Sequence, residues 1–169
     1  MRKVAMTVAM GLLLTGCGSP GGSGKTRNDG ADIATGPVAV ADGSKPIAQA
    51  GFDAQKGRFE LAVISLTVNG KLAQLALSLT PHAAKDGYWN NYTFFGTVAE
   101  ASLVDPVNLK RYVPVKDSSG HVLSSGNVAL NNNQANTLNY TFAAPPDNVK
   151  SISVQFGDFP PFRNIPISR

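Results

Sequence analysis

Few residues in this 169-residue chain are equipped for chemistry, and their spacing narrows the chemistry open to them. Cys17 is the only cysteine, and the three methionines are Met1, Met6 and Met10. Beyond residue 17 there is neither thiol nor thioether, which removes disulfides, soft-metal ligation and cysteine nucleophiles from the rest of the chain. The two histidines, His82 and His121, follow Pro81 and Gly120, at a strand end and a turn. A zinc centre needs three or four ligands at matched spacing. Without cysteine, it would have to draw both histidines and several carboxylates from separate loops. Only two of the carboxylates are glutamates, Glu60 and Glu100. Asp105, Asp117, Asp147 and Asp158 neighbour Pro, Ser, Asn or Gly, the company of turn aspartates rather than of acid–base pairs. Serines are plentiful, yet no Gly-x-Ser-x-Gly elbow ties one to a histidine. The expectation is a chain with no catalytic residue, no metal and no cofactor. The alternative is a secreted hydrolase or metal-binding protein whose site has no recognised motif.

Two further segments deserve a chemical reading. Gly22-Ser-Gly-Lys-Thr26 has the ending of a phosphate-binding loop, but the required first glycine falls on Ser19. A buried strand before it and a helix after it are also needed, whereas polar coil follows here. Tyr88-Trp-Asn-Asn-Tyr-Thr-Phe-Phe95 places five aromatics in eight residues and holds the only tryptophan. Exposed, Tyr88, Trp89 and Tyr92 would form a candidate binding loop for glycan or protein, with asparagines as hydrogen-bonding neighbours. Read instead as a strand, the segment points Tyr92 and Phe94 one way into the core while the other rings cap it.

The remaining chemistry is at Cys17 itself. Arg2 and Lys3 give a positive start, and Val4 to Leu14 is an uncharged apolar run. That run is too short to span about 30 Å of hydrocarbon, which takes about 20 helical residues, and it matches the h-region of a secretory signal. Leu14-Thr-Gly-Cys17 follows directly. This arrangement resembles the lipobox of bacterial lipoproteins. The resemblance implies cleavage before Cys17, acylation of its sulfur and of the new amine, and attachment to the outer face of the cell membrane. Two or three acyl chains hold a protein at a bilayer where one holds it only marginally.

Composition limits the partners. Charged residues are 15% of the chain, where about a quarter is usual. Without Arg2 and Lys3 the formal charge falls from +4 to +2, and the remaining cations are scattered, with only Lys110 and Arg111 adjacent. A nucleic-acid binder concentrates positive charge in a stripe or patch, so no nucleic-acid partner is expected. The expected partners are the membrane, through the N-terminal lipid, and an envelope protein or polymer.

The organisation that must position these residues reads in three parts: a signal peptide over 1–16, a lipidated Cys with a flexible tether over 17–54, and one domain over 55–169. The tether is rich in Gly, Ser, Ala and Asp. A coil of about 35 such residues spans roughly 30–35 Å. A weak strand is expected within it at 36–40. The domain reads as all-β. Residues 58–68 carry Phe59, Leu61 and Val63 on one face, then Ile64, Leu66 and Val68 on the other, a phase slip that calls for a bulge. Asn69-Gly70 closes a hairpin onto Ala73, Leu75, Leu77 and Leu79, which alternate strictly. A second hairpin turns at Asp117–Gly120. Leu138, Tyr140 and Phe142 alternate, as do Ile152, Val154 and Phe156, and a last strand runs over 165–167. About seven or eight short strands with no helix predict an antiparallel, immunoglobulin-like two-layer sandwich.

Leu103-Val-Asp-Pro-Val-Asn-Leu-Lys-Arg-Tyr-Val-Pro-Val-Lys-Asp117, Tyr140-Thr-Phe-Ala-Ala-Pro-Pro-Asp-Asn-Val149 and Phe159-Pro-Pro-Phe-Arg-Asn-Ile-Pro-Ile167 together resemble a group of secreted actinobacterial proteins with immunoglobulin-like domains. The resemblance covers roughly residues 58–169. It implies the same fold and an extracytoplasmic location, and it implies no activity or ligand. Some members carry cysteines in the hairpin that here reads His121-Val-Leu-Ser-Ser125, so no disulfide or metal role transfers to it.

Overall fold

Residues 45–125 and 128–169 are described by the computed structural model. The signal segment, the Cys17 box, residues 22–26 and the strand expected at 36–40 lie outside them. The described elements are β1 (Ala48–Ala54), β2 (Gly57–Asn69), β3 (Leu72–Ala83), β4 (Trp89–Asn90), α1 (Asn91–Phe95), β5 (Ala101–Asp105), β6 (Lys110–Tyr112), β7 (Ala129–Leu130), β8 (Asn136–Ala143), β9 (Ser151–Phe156) and β10 (Phe162–Pro166).

They form an antiparallel β-sandwich. One sheet has the order β1-β2-β3-β8 and the other β10-β9-β5-β6, while β4 and β7 make a small ribbon. The period-two pattern explains the first sheet. Phe59, Leu61 and Val63 of β2 face the core with Ala73, Leu75, Leu77 and Leu79 of β3 and Leu138, Tyr140 and Phe142 of β8. Opposite them, Leu103 of β5, Ile152, Val154 and Phe156 of β9 and Ile165 of β10 close the same core. The phase slip in β2 is a bulge, where the register against β3 shifts between Val63 and Ser65. After it, Leu66 turns inward and the alternation resumes. The β2–β3 hairpin pairs Asn69 with Leu72, which leaves Gly70 and Lys71 as the turn. Gly70 has φ +58° at the first central position, where a type II′ turn takes glycine.

Two edges are covered by irregular chain. Val115 N and Thr141 N bond Thr141 O and Leu123 O, so the hairpin that turns at Asp117–Gly120 lies along the outer edge of β8. Beyond the bulge, where β1 no longer accompanies β2, Val68 N and Ser168 N bond Ser168 O and Leu66 O in a parallel bridge. Arg169 then reaches Pro145 O, Pro146 O, Val149 O and the Asp147 carboxylate, the last at 2.7 Å.

Three expectations change. Ala48–Ala54, assigned by composition to the tether, forms β1, paired in seven rungs from Ala48↔Val63 to Ala54↔Gly57. Its small residues and Phe52 lie half-buried against the core, so the domain begins before residue 55. Residues 91–95 of the aromatic segment form a helical turn rather than a strand. The described strands number ten: β1, β4, β5, β6 and β7 show no alternation of large apolar residues to read, while the arms of the hairpin at Asp117–Gly120 make isolated bridges rather than strands.

The sandwich has two distinct ends. The aromatic end gathers the 84–100 connection, residues 131–135 and 157–161, with Gly157 N bonded to Glu100 O. The turn end gathers the β2–β3 turn, the β5–β6 turn and residues 144–150, with Ala144 N bonded to Lys71 O. The described residues belong to one compact unit.

Candidate functional site at the aromatic end

The helical turn is there because its ends are capped. Asn90 has extended backbone, and its Oδ1 accepts from Thr93 N at 2.8 Å while Thr93 Oγ1 accepts from Asn90 N at 2.9 Å, a reciprocal capping box. Gly96 ends the turn at φ +76°, its N–H returning to Tyr92 O. Buried Asn91 then acts as a strand partner for Ala99, donating to its carbonyl at 2.7 Å and accepting from its N–H at 3.1 Å.

This geometry sorts the aromatics. Phe94 and Phe95 turn inward and meet Phe59 edge-on at 6.3 and 5.0 Å between centroids. Phe156, Phe159 and Phe52 extend the ring cluster. Trp89 is half-buried, edge-on to Phe94 at 6.1 Å, and its indole nitrogen is out of solvent with no acceptor among the described residues. It braces the turn. Tyr88 and Tyr92 are exposed, at 76% and 57%. Of the three candidate binding residues, two therefore present their rings and the third supports them.

Beside the turn lies an amide-rich loop that sequence reasoning passed over. β7 pairs with β4, Trp89 opposite Leu130. Asn136 is buried, and its Nδ2 donates to Leu79 O, Asn131 O and Gln134 O while its Oδ1 accepts from Asn131 N. Asn132 accepts from Ala83 N at 2.7 Å and donates to Asp86 Oδ1 at 3.3 Å. Asn133 has φ +58° and meets His82 Nδ1 at 2.9 Å. The readable signal is the Asn131-Asn132-Asn133 run, since asparagine tolerates the left-handed region and bonds its own neighbourhood.

The other candidates stay apart. His82 is exposed on the Asn133 amide, and His121 is exposed 3.4 Å from Asp117 in the 117–120 turn. Asp117 also accepts from Ser119 N and His121 N, the work of a turn residue. Among the described residues no three of His, Cys, Asp and Glu gather as a metal-binding group. Asp105, at the turn end, is fully buried and accepts from Val107 N, Asn108 N and Asn108 Nδ2 at 3.0, 3.1 and 2.6 Å. The Asn108 side chain holds its carboxyl below the ordinary range, with the two backbone donors and Lys110 assisting against burial. Among the described residues no helix is long and apolar enough to cross a membrane.

No family model matches the chain, and no curated protein or solved structure matches it either.

Proposed function

We propose that this chain is a cell-envelope lipoprotein, held on the outer face of the membrane through acyl groups on Cys17, whose sandwich is a non-catalytic binding module for an envelope protein or polymer. The anchor is supported by the ordered positive start, apolar run and Leu14-Thr-Gly-Cys17 box. The immunoglobulin-like reading of the sandwich is supported by strand order. β2-β3-β8 against β10-β9-β5-β6 follows the order A-B-E against G-F-C-C′ of that class, with β1 added outside A.

The observation that carries the binding reading is the exposure of Tyr88 and Tyr92 on a turn fixed by a capping box and a buried asparagine. Large rings held without loose backbone give contact area at little entropic cost. The experiment is a pull-down from cell-wall extracts with the wild type and a Tyr88→Ala/Tyr92→Ala double variant. Most captured material is expected to be lost in the variant, and equal recovery overturns the contact. Cys17→Ala is expected to release the protein from membranes, and a wild type without acyl groups by mass spectrometry refutes the anchor. A hydrolase screen checks the non-catalytic part, which turnover abolished by His82→Ala or His121→Ala would defeat.

A further inference from the structure

The turn end carries a feature that the tyrosine contact does not use. Between β5 and β6 the chain turns through Pro106–Leu109, and Val107 and Leu109 stand 85% and 90% exposed. Leu109 holds φ +53°, a left-handed conformation that a branched aliphatic side chain adopts at a cost. Three hydrogen bonds to buried Asp105 fix the turn. A strained, braced turn that lifts two aliphatic side chains into solvent stabilises nothing within the domain, and strain of this kind marks sites of function.

The charges around it are one-sided. Lys110 follows the tip directly, and Lys71 and Lys150 lie at the same end, while Arg111 Nε donates back to Ser102 Oγ at 3.1 Å and Arg169 is spent on Asp147. Among the described residues, the carboxylates in the connections at that end are Asp105, fully buried, and Asp147, paired with Arg169. β1 starts beside Val63, midway along β2, and runs toward the aromatic end, so its N-terminus points to the turn end.

We propose that the Val107–Leu109 tip docks on an anionic lipid surface, its two aliphatic side chains entering the headgroup boundary while Lys110 beside them faces the lipid phosphates. Apolar side chains that enter the interface beside cations form the pairing that holds peripheral proteins at membranes. The opposite end, with Tyr88 and Tyr92, is then directed away from the bilayer. The inference stands apart from the tyrosine contact and needs no acyl chain.

The test uses residues 18–169, which contain every described residue and no cysteine. Sedimentation with vesicles of equal phosphatidylglycerol and phosphatidylcholine is compared with pure phosphatidylcholine vesicles. Binding is expected to the first, weakening with salt. Val107→Ser/Leu109→Ser is expected to weaken it on the order of tenfold or more, and Lys110→Glu on the order of tenfold. Leu109→Cys carrying an environment-sensitive dye is expected to shift blue on the anionic vesicles, while Tyr88→Cys with the same dye is not. Equal binding by the Val107/Leu109 variant, no binding by the wild type, equal binding to both vesicles, or an unshifted Leu109 dye each overturns the proposal. A concentration-dependent dimer that the serine substitutions abolish, without vesicle binding, reassigns the tip to self-association.

Discussion

The two ends of the sandwich solve the loop problem by opposite means. At the aromatic end, seventeen residues between β3 and β5 are pinned by side chains: Asn90, Asn91, Asn132 and Asn136 bond the backbone, and Phe94 and Phe95 reach the core. At the turn end two residues do the pinning: Asp105 holds the β5–β6 turn, and Arg169 holds residues 144–150. A long loop becomes rigid by sending side chains inward, and it leaves Tyr88 and Tyr92 outside. The short β5–β6 turn is held from below by a buried carboxylate and carries Val107 and Leu109 outside. The first arrangement spreads its stability over many contacts, and the second concentrates it in two charged residues.

Substitutions at each end put that contrast to the test. The largest effect is expected from Phe59→Ala, which empties the centre of the ring cluster against Phe52, Phe94, Phe95 and Phe159. A loss of about 3–5 kcal/mol by denaturant unfolding is expected. Asn136→Ala strands several buried backbone groups and should cost about 3 kcal/mol by the same measurement. Loss of less than a third of that would show that the amide loop is held by something else.

At the turn end, Asp105→Ala is expected to cost about 2 kcal/mol, since its acceptor serves three donors. Asp105→Asn tests the charge. The folded carboxyl titrates below its unfolded value, so its contribution is present above the ordinary carboxylate range, about pH 4, and is lost as pH falls through the folded value. The stability gap between wild type and Asp105→Asn should therefore be widest near neutral pH and close in acid. A pH-independent gap would mean that the charge is idle. Leu109→Gly relieves the left-handed strain and should stabilise by about 0.5–1 kcal/mol while weakening vesicle binding. Smallest is Trp89→Phe, expected within about 0.5 kcal/mol of wild type, because it keeps the ring against Phe94 and removes an unpaired buried donor.

How much of this was written in the sequence depends on burial. β2, β3, β8 and β9 each have one wet and one dry face, so their alternation is legible down to the bulge after Val63. β5 is buried on nearly all positions, in the middle of its sheet, and Ala-Ser-Leu-Val-Asp shows no period to read. β1 alternates, but with alanines and a glycine, which composition assigns to a tether. In α1 the aromatics argued for strand, while Asn90 and Thr93, three apart and followed by Gly96, spelled a capped helical turn. The candidate loop Tyr88, Trp89 and Tyr92 was legible as a segment, and which ring stands in solvent was not, because that depends on the turn's handedness and on Phe94 filling the core. The strain at Leu109 has no sequence signature at all.

β1 has a mechanical meaning under the proposed arrangement. A ligand gripped by the tyrosines and a lipid pulling on the chain ahead of Lys45 would load β1 along its own axis, against the seven rungs it shares with β2. Force applied that way shears all the rungs together, whereas a pull across the strand would open them one at a time. An added strand of small residues, modest in the energy of folding, thus becomes the coupling through which tension reaches the domain, and its resistance is the sum of its bonds rather than the strength of the weakest.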